Sequence, residues 1–360
     1  MKLNNYLIIR NDGIGDLIIS IPLIEKLKEK KGTLLYLVCS RRNIEFAKHL
    51  KEMGLVDQII CFKGKIKSKY SYYNYVKKML KSIHFEDIFI LKPSITNLLI
   101  SISLSRKKIY SLIALNESKI FKINKYSPPI FSSLFLEKYE LIDCRNDYKN
   151  SASTHMAKHY LNLYNLSHSK PKDVKFNINK TNKINRLSNK SNIYLKQIKN
   201  LINYKNKNRI ILFHFDEKWD RSILSIKEFK VFFENLFNLS KSTIIVTKGL
   251  ASNRYEKLFL KTSKLKKLNS NLYSSIKMEN LFFVKKSSYS ELSTILSISD
   301  IVVTPHGGLS HSSALFDKKL IDLIEIDRKA FYKKWLPLGK KTKQFDINDT
   351  DQILKTLKKF

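Results

Sequence analysis

The sequence is short of glycine, cysteine, arginine and long apolar runs, and each shortage excludes something. Nine glycines stand among 360 residues, where average usage of roughly 7% would give about 25. That excludes a glycine-rich repeat or linker protein and makes each glycine's position informative. The three cysteines, Cys39, Cys61 and Cys144, are odd in number, far apart and without a CxxC spacing. They supply neither a disulfide framework nor a cysteine zinc site, and they fit a reducing compartment. No run of 18 apolar residues occurs, so no helix spans a membrane, and the start through Tyr6-Leu7-Ile8-Ile9-Arg10 lacks the apolar stretch of a signal peptide. The expected location is the cytoplasm, with peripheral contact at the cytoplasmic face of the inner membrane left open. There is no P-loop, HExxH or GxSxG, and the histidines lack metal-ligand spacing, so neither a metal nor a cofactor is expected.

What the sequence has in excess is lysine. Lys plus Arg is 67 against 31 Asp plus Glu, a formal charge of +36, yet only 10 of the 67 are Arg. With Ile and Asn also abundant, the mixture is what A+T-rich codons encode. A nucleic-acid surface uses Arg freely, because its planar fork bonds phosphates and base edges bidentately. Two readings follow: a lysine-rich solvated surface, or attraction to a polyanion, with an anionic membrane face or phosphorylated glycan ahead of nucleic acid. No specific nucleic-acid partner is expected.

Short apolar runs alternate with helical patterns. Strands are expected at Tyr6–Ile9, Leu34–Cys39, Gln58–Phe62 and Asp87–Leu91, with helices at Asp16–Lys30, Asn43–Met53 and Tyr73–Ile83 between them. Parallel strands need such crossovers, so the class is α/β and layered. Leu115–Asn150 breaks the rhythm with Pro128-Pro129 and scattered aromatics, and reads as an irregular insertion before a helix at Ala152–Asn165. The Lys/Asn/Ser-rich stretch 171–208, with one helix near Ile193–Ile202, reads as a linker between residues 1–170 and a second domain over 209–345. There the alternation restarts, from a strand at Arg209–Phe213 to one at Leu320–Ile324. The expected architecture is two Rossmann-like, doubly wound domains facing a cleft. A final helix at Asp349–Lys358, within 346–360, is expected to pack back on the first domain. Its Asp349-Thr350-Asp351 start reads as a cap rather than a metal-holding acidic pair.

Four of the nine glycines fall in two short turns, Asn11-Asp12-Gly13-Ile14-Gly15-Asp16 and Thr304-Pro305-His306-Gly307-Gly308-Leu309-Ser310-His311. Each follows a strand and precedes a helix, where a backbone takes positive φ or approaches a ligand and where helix amides attract anions. The first is no dinucleotide fingerprint, because no third glycine follows Gly15 at the right spacing. Asp16 stands where a phosphate would have to sit. It is either a helix cap or a carboxylate at a cleft mouth, a general base toward a substrate hydroxyl. The second turn suits a diphosphate: amides of Gly307, Gly308 and Leu309, with His306 and His311 supplying charge or hydrogen bonds, unless these are structural histidines. Between the two turns, Phe213-His214-Phe215-Asp216-Glu217-Lys218-Trp219 follows the strand that opens the second domain. Lys218 is either a solvated lysine or the cation that neutralises a leaving phosphate.

Together the three patches resemble glycosyltransferase family nine, the ADP-heptose:lipopolysaccharide heptosyltransferases. The opening strand running into Ile14-Gly15-Asp16 and a helix with Pro22 matches the family's N-terminal signature. Ser299-Asp300-Ile301-Val302-Val303-Thr304, the glycine pair, Leu309-Ser310-His311 and Ala314-Leu315 resemble its C-terminal one, and the His214 to Trp219 segment is similar to its opening motif in the second domain. The resemblance implies a bacterial GT-B enzyme of lipopolysaccharide biosynthesis that takes a nucleotide-sugar donor, ADP-heptose or another, and an anionic glycolipid acceptor. It implies Asp16 as base in a single inverting, metal-independent displacement. Lys218, His306, Gly307, Gly308, Leu309 and His311 would then hold the departing diphosphate. Two departures leave the donor open: His306 stands where the family often has an acidic residue, and the turn at Lys248-Gly249 lacks the usual following carboxylate. Two further readings remain, a polyanion or nucleic-acid binder without transferase activity and a degenerate relative that keeps only glycan binding.

Overall fold

The computed structural model describes residues 3–62, 68–117, 124–144, 154–168, 196–200, 208–239, 242–249, 253–285 and 287–360. The chain divides into two compact units, 1–184 with 333–336 and 185–332 with 337–360.

The first unit is built on strands β1 (Asn4–Ile9), β2 (Thr33–Cys39), β3 (Gln58–Cys61), β4 (Phe85–Ile90), β5 (Arg106–Glu117), β6 (Asn124–Ser127) and β7 (Lys138–Asp143). Their order is β3-β2-β1-β4-β5-β6, with β7 also on β5, and every pairing is parallel except that of β5 with β6. The chain therefore reverses its winding between β1 and β4. Alternate residues explain the burial: Leu7 and Ile9 join one core layer with Ile88 and Ile90, while Tyr6 and Ile8 are buried on the opposite face. Two expectations change. The helix expected over 16–30 is two, α1 (Ile14–Ile19) and α2 (Ile21–Lys28), because Pro22 in the first turn of α2 has no N–H to continue the ladder. The expected irregular insertion contains β6, a 3-10 turn at Ile130–Phe135 and β7. Its alternation was hidden because most side chains of β7 are exposed rather than apolar and buried. Residues 145–150 lie outside the described residues.

In the second unit the strands are β8 (Arg209–Phe215), β9 (Ser242–Lys248), β10 (Leu265–Lys267), β11 (Leu272–Ser275), β12 (Leu281–Val284), β13 (Ile301–Pro305), β14 (Lys319–Ile324) and β15 (Thr342–Asp346). The sheet runs β10-β11-β12-β9-β8-β13-β14-β15, parallel from β12 onward, with the reversal between β8 and β13. β8 sorts its side chains by period two. Ile211, Phe213 and Phe215 face an aromatic layer with Trp219, Phe229, Phe233 and Phe259, while Ile210 and Leu212 face an aliphatic one. Ile198, in the helical stretch 196–200, is buried in that aliphatic layer. The rest of the expected linker lies outside the described residues apart from Asn208.

The last helix corrects an expectation. Ile353, Leu354 and Leu357 of Thr350–Lys359 belong to the second unit's aromatic core, and the Arg209 guanidinium donates to the Leu357 carbonyl at 2.8 Å. The helix is therefore part of the second unit, and it is residues 333–336 that group with the first. Asp349 caps it, accepting from the Gln352 amide at 3.0 Å.

Candidate functional site

In open α/β sheets, ligands bind outside the carboxyl ends of the strands where the winding reverses. Both turns singled out from the sequence lie at such a point, one in each unit.

At the carboxyl end of β1, Arg10 organises the loop. It is 2% exposed, and its guanidinium meets Asp12 at 3.2 Å and Asp16 at 3.2 Å. It also donates to the carbonyls of Leu91 at 2.6 Å and Asp16 at 3.2 Å, and lies 5.1 Å from the ring centre of buried Tyr160. The loop is tied down further: Asn43 donates to the Arg10 carbonyl at 2.8 Å, Ser40 to that of Asp12 at 2.7 Å, and Asn11 to the Tyr72 hydroxyl at 2.7 Å. Asp16 is the third residue of α1. One of its oxygens accepts from the Gly13 amide at 3.1 Å, the other pairs with Arg10, and the side chain is 32% exposed. It is thus a cap and an accessible carboxylate at once, so the two sequence readings do not exclude each other. Burial pushes the Asp12 carboxyl up to about 6, against the lowering pull of Arg10. Gly13 has ordinary negative φ; its need for no side chain comes from Asp16, whose oxygen lies 3.0 Å from where a Cβ would be. Gly15 is buried within α1.

At the carboxyl ends of β8 and β13, the second set comes together. Trp219 is fully buried, donates through its indole to the His214 carbonyl at 3.0 Å and lies 5.5 Å from Phe213, ring to ring. It thereby anchors the 3-10 turn Glu217–Arg221 that carries Lys218. The Lys218 ammonium donates to the His306 carbonyl, crossing from the β8 loop to the β13 loop. Gly307 is extended, and a Cβ there would lie 3.2 Å from that ammonium. Both paired-turn glycines thus admit a charged side chain of the chain itself, and positive φ is not involved. Gly308 opens the helix α3 (Gly308–Leu315), followed by Leu309. The Gly307 amide donates to the Ser310 hydroxyl at 3.1 Å, so that donor is engaged, whereas the next amides belong to the helix's first turn.

Both loop histidines are buried. The His306 ring meets Asp322 of β14 at 2.8 Å and packs 5.2 Å from His311 and 4.8 Å from Tyr332. Asp322 is wholly buried and also accepts from Gln344 at 3.0 Å. His306 is thus paired with a carboxylate of the neighbouring strand. Gly249 follows β9, and its amide donates to the Phe215 carbonyl at 2.6 Å. The preceding Lys248 pairs at 2.7 Å with Glu256, which is 1% exposed.

His214 is buried and bonds Thr247 at 2.9 Å, and burial pushes its imidazole down to about 4. Folding therefore binds fewer protons than unfolding between the ordinary value of 6.5 and about 4, and stability falls as pH drops through that window. The melting temperature of the wild type is expected to fall between pH 7 and pH 5 more than that of His214→Gln.

Sequence reasoning missed Arg10, Asp12 and Asp322. Each left a trace: a rare arginine directly after a buried strand, a second carboxylate beside Asp16, and a lone Asp inside Lys-Leu-Ile-Asp-Leu-Ile. Among the described residues, no group of three or more His, Cys, Asp or Glu is placed to hold a metal ion, and no helix is long and apolar enough to cross a membrane.

No protein-family profile and no curated protein matches the sequence. Solved structures do match over the whole chain. A glycosyltransferase of family nine from Veillonella parvula superposes with a TM-score of 0.65 at 12% identity, covering 100% of this chain and 91% of its own. The E. coli heptosyltransferase WaaC with ADP gives 0.65 at 12%, covering 98% and 99%. The UDP-GlcNAc 2-epimerase of Methanocaldococcus jannaschii gives 0.56 at 12%, covering 99% and 92%. The fold is therefore GT-B, two Rossmann-like units, as the sequence led one to expect. Within that class the chain is similar to glycosyltransferase family nine and its heptosyltransferases.

Proposed function

We propose that this protein is an inverting, metal-independent glycosyltransferase that moves a heptose or related sugar from a nucleotide-sugar donor to a surface-glycan acceptor. The observation that carries the reading is the contact of Lys218 with the His306 carbonyl, which holds an ammonium beside the first turn of α3 at the second sheet's winding reversal. A cation next to helix N-terminal amides is suited to a diphosphate. The similar structures fit this: WaaC was solved with ADP and with ADP-2-deoxy-2-fluoro heptose, and the epimerases are named for UDP-GlcNAc. In the reaction, an acceptor hydroxyl gives its proton to Asp16 as its oxygen bonds to the donor's anomeric carbon. The bond from that carbon to the diphosphate oxygen breaks, and the electron pair leaves with the nucleoside diphosphate. Lys218 and the amides of Gly308 and Leu309 stabilise the developing charge electrostatically. His306, held by Asp322, and His311 line the same loop.

Nothing favours the polyanion reading over this one. Six of the eight arginines among the described residues spend their guanidinium on hydrogen bonds inside the fold, so the surface charge is mostly lysine. The test is a panel of nucleotide sugars with EDTA, alongside melting in each nucleoside diphosphate. A ligand that binds only the folded state must raise the melting temperature, by about 2.7 kcal/mol of stability at a hundredfold excess over Kd. Transfer that survives EDTA and one diphosphate that stabilises are expected; metal-dependent transfer, or steep salt-dependent binding to any polyanion without a diphosphate effect, would overturn the proposal. Lys218→Ala is expected to weaken that diphosphate by about 1.5–3 kcal/mol, the range of a hydrogen bond to a charged group, and titration calorimetry reads it directly.

A further inference from the structure

The two faces of the first unit's sheet are finished differently. Glu140 of β7 lies on the face of Ile8 and Tyr110, where it meets His159 and Asn162 of the helix Met156–His168. Neither that helix nor α2 carries an exposed large apolar side chain. The helices Lys69–Leu80 and Ile95–Ile102 share the core of the other face with Ile88, Ile90 and Ile109, and Leu136 packs against it. Period two continues that face along β5 from Ile109 to Ser111, Ile113 and Leu115, which pair with Tyr139, Leu141 and Tyr126. Here apolar side chains also point outward. Ile95 and Leu99 on the helix and Tyr126, Tyr139 and Leu141 on the strands are exposed. On the 3-10 turn Ile130–Phe135, Leu134 is 84% exposed and Phe135 54%. Ten of the eighteen exposed large apolar side chains among the described residues belong to these elements, and such concentration marks an interaction surface rather than scatter.

Charge identifies the partner. Residues 63–136, which run through most of these elements, hold 14 Lys or Arg and 3 Asp or Glu, against 67 and 31 in the whole chain. The lysine excess is therefore concentrated here. Neither helix of this face, nor the 3-10 turn, has an acidic residue, and Glu86 is already paired with Lys107 at 2.6 Å. Lys69, Lys77, Lys78, Lys125 and Lys138 stand exposed on the same elements as the apolar side chains. A second copy of the chain would set these cations against their own kind. A nucleic acid would call on arginine, but Arg106, the one arginine of the stretch, donates to the carbonyls of Ile102 and Leu104. An anionic bilayer fits both features: lysine stems lie along the interface with their ammonium groups among anionic headgroups, while apolar side chains enter the acyl boundary.

We propose that this face of the first unit docks on an anionic lipid bilayer, with Leu134, Phe135 and Leu141 at the acyl boundary and the lysines of the helix Lys69–Leu80 among the headgroups. The inference goes beyond the transferase reading and does not depend on it, since every residue it uses lies in the first unit.

The full chain is sedimented, without donor, with vesicles of phosphatidylcholine alone and of phosphatidylcholine with phosphatidylglycerol. Binding to the anionic vesicles is expected, about tenfold tighter than to the neutral ones and weaker as salt rises. Leu134→Ser combined with Phe135→Ser should weaken it about tenfold, while melting temperature matches wild type because both side chains are exposed. Lys77→Glu combined with Lys78→Glu should weaken it too. Ile223→Ser, at an equally exposed apolar residue of the second unit, should bind as wild type does. No binding, equal binding to both vesicles, or anionic binding indifferent to Leu134 and Phe135 overturns the proposal, the last because charge alone would then suffice. A dimer in solution that the Leu134 and Phe135 substitutions dissolve, or duplex DNA binding that they weaken as much, assigns the face to another partner and overturns it equally. Each of these results leaves the donor reading standing, because diphosphate stabilisation reports on the second unit's loops.

Discussion

Asp16→Ala is expected to lower kcat by about 10²–10⁴, the usual contribution of a positioned general base, while the nucleoside diphosphate binds as before. The reason lies in the carboxylate's two supports. The Gly13 amide and the Arg10 guanidinium each engage one oxygen, which fixes the orientation, and the remaining exposure admits a hydroxyl. Asp16→Asn keeps the shape but has no oxygen basic enough to take the proton, so it should be nearly as slow as the alanine variant. Loss of the cap and the ion pair costs on the order of 1 kcal/mol of stability, so folding survives and the measurement stays interpretable. A variant that turns over at the wild-type rate would remove Asp16 from the chemistry.

Arg10→Ala acts on stability instead. It removes a buried cation from two carboxylates and two carbonyls at once. Leaving a buried charge without its partner costs about 3–5 kcal/mol, which thermal or denaturant unfolding detects easily. The pH dependence carries a definite sign. Asp12 is already raised by burial, with Arg10 as the largest opposing influence, so removing the guanidinium raises it further. A carboxyl whose folded value lies above its unfolded one destabilises the protein once pH exceeds both, and the penalty fades as pH falls toward the unfolded value near 3.8. The gap between Arg10→Ala and wild type should therefore be wider at pH 8 than at pH 5. Arg10→Lys should not close it, because a single ammonium cannot reproduce a fork bonded in four directions. An Arg10→Ala variant as stable as wild type at pH 8 would show that the loop does not depend on the guanidinium.

The sequence by itself determined the α/β class, the doubly wound scheme and the location of both turns. The central strands are buried on both faces, so they appear as short apolar runs such as Arg209–Phe215 whatever their neighbours. Glycine is so scarce that pairs like Gly13 with Gly15 and Gly307 with Gly308 stand out. Only the tertiary structure decided what Gly307 is for, because the reason is a side chain from elsewhere: the ammonium of Lys218, nearly ninety residues earlier, lies 3.2 Å from where a Cβ would be. Local pattern also could not show that Asp322 reaches His306 from the next strand, or that Arg10 is consumed by Asp12, Asp16 and Leu91. It likewise could not assign the last helix, whose apolar stripe fits any apolar core and in fact joins the second unit's aromatic one. Periodicity records which residues are buried, while pairing across strands and loops depends on register and winding, and those are fixed only when the sheets form.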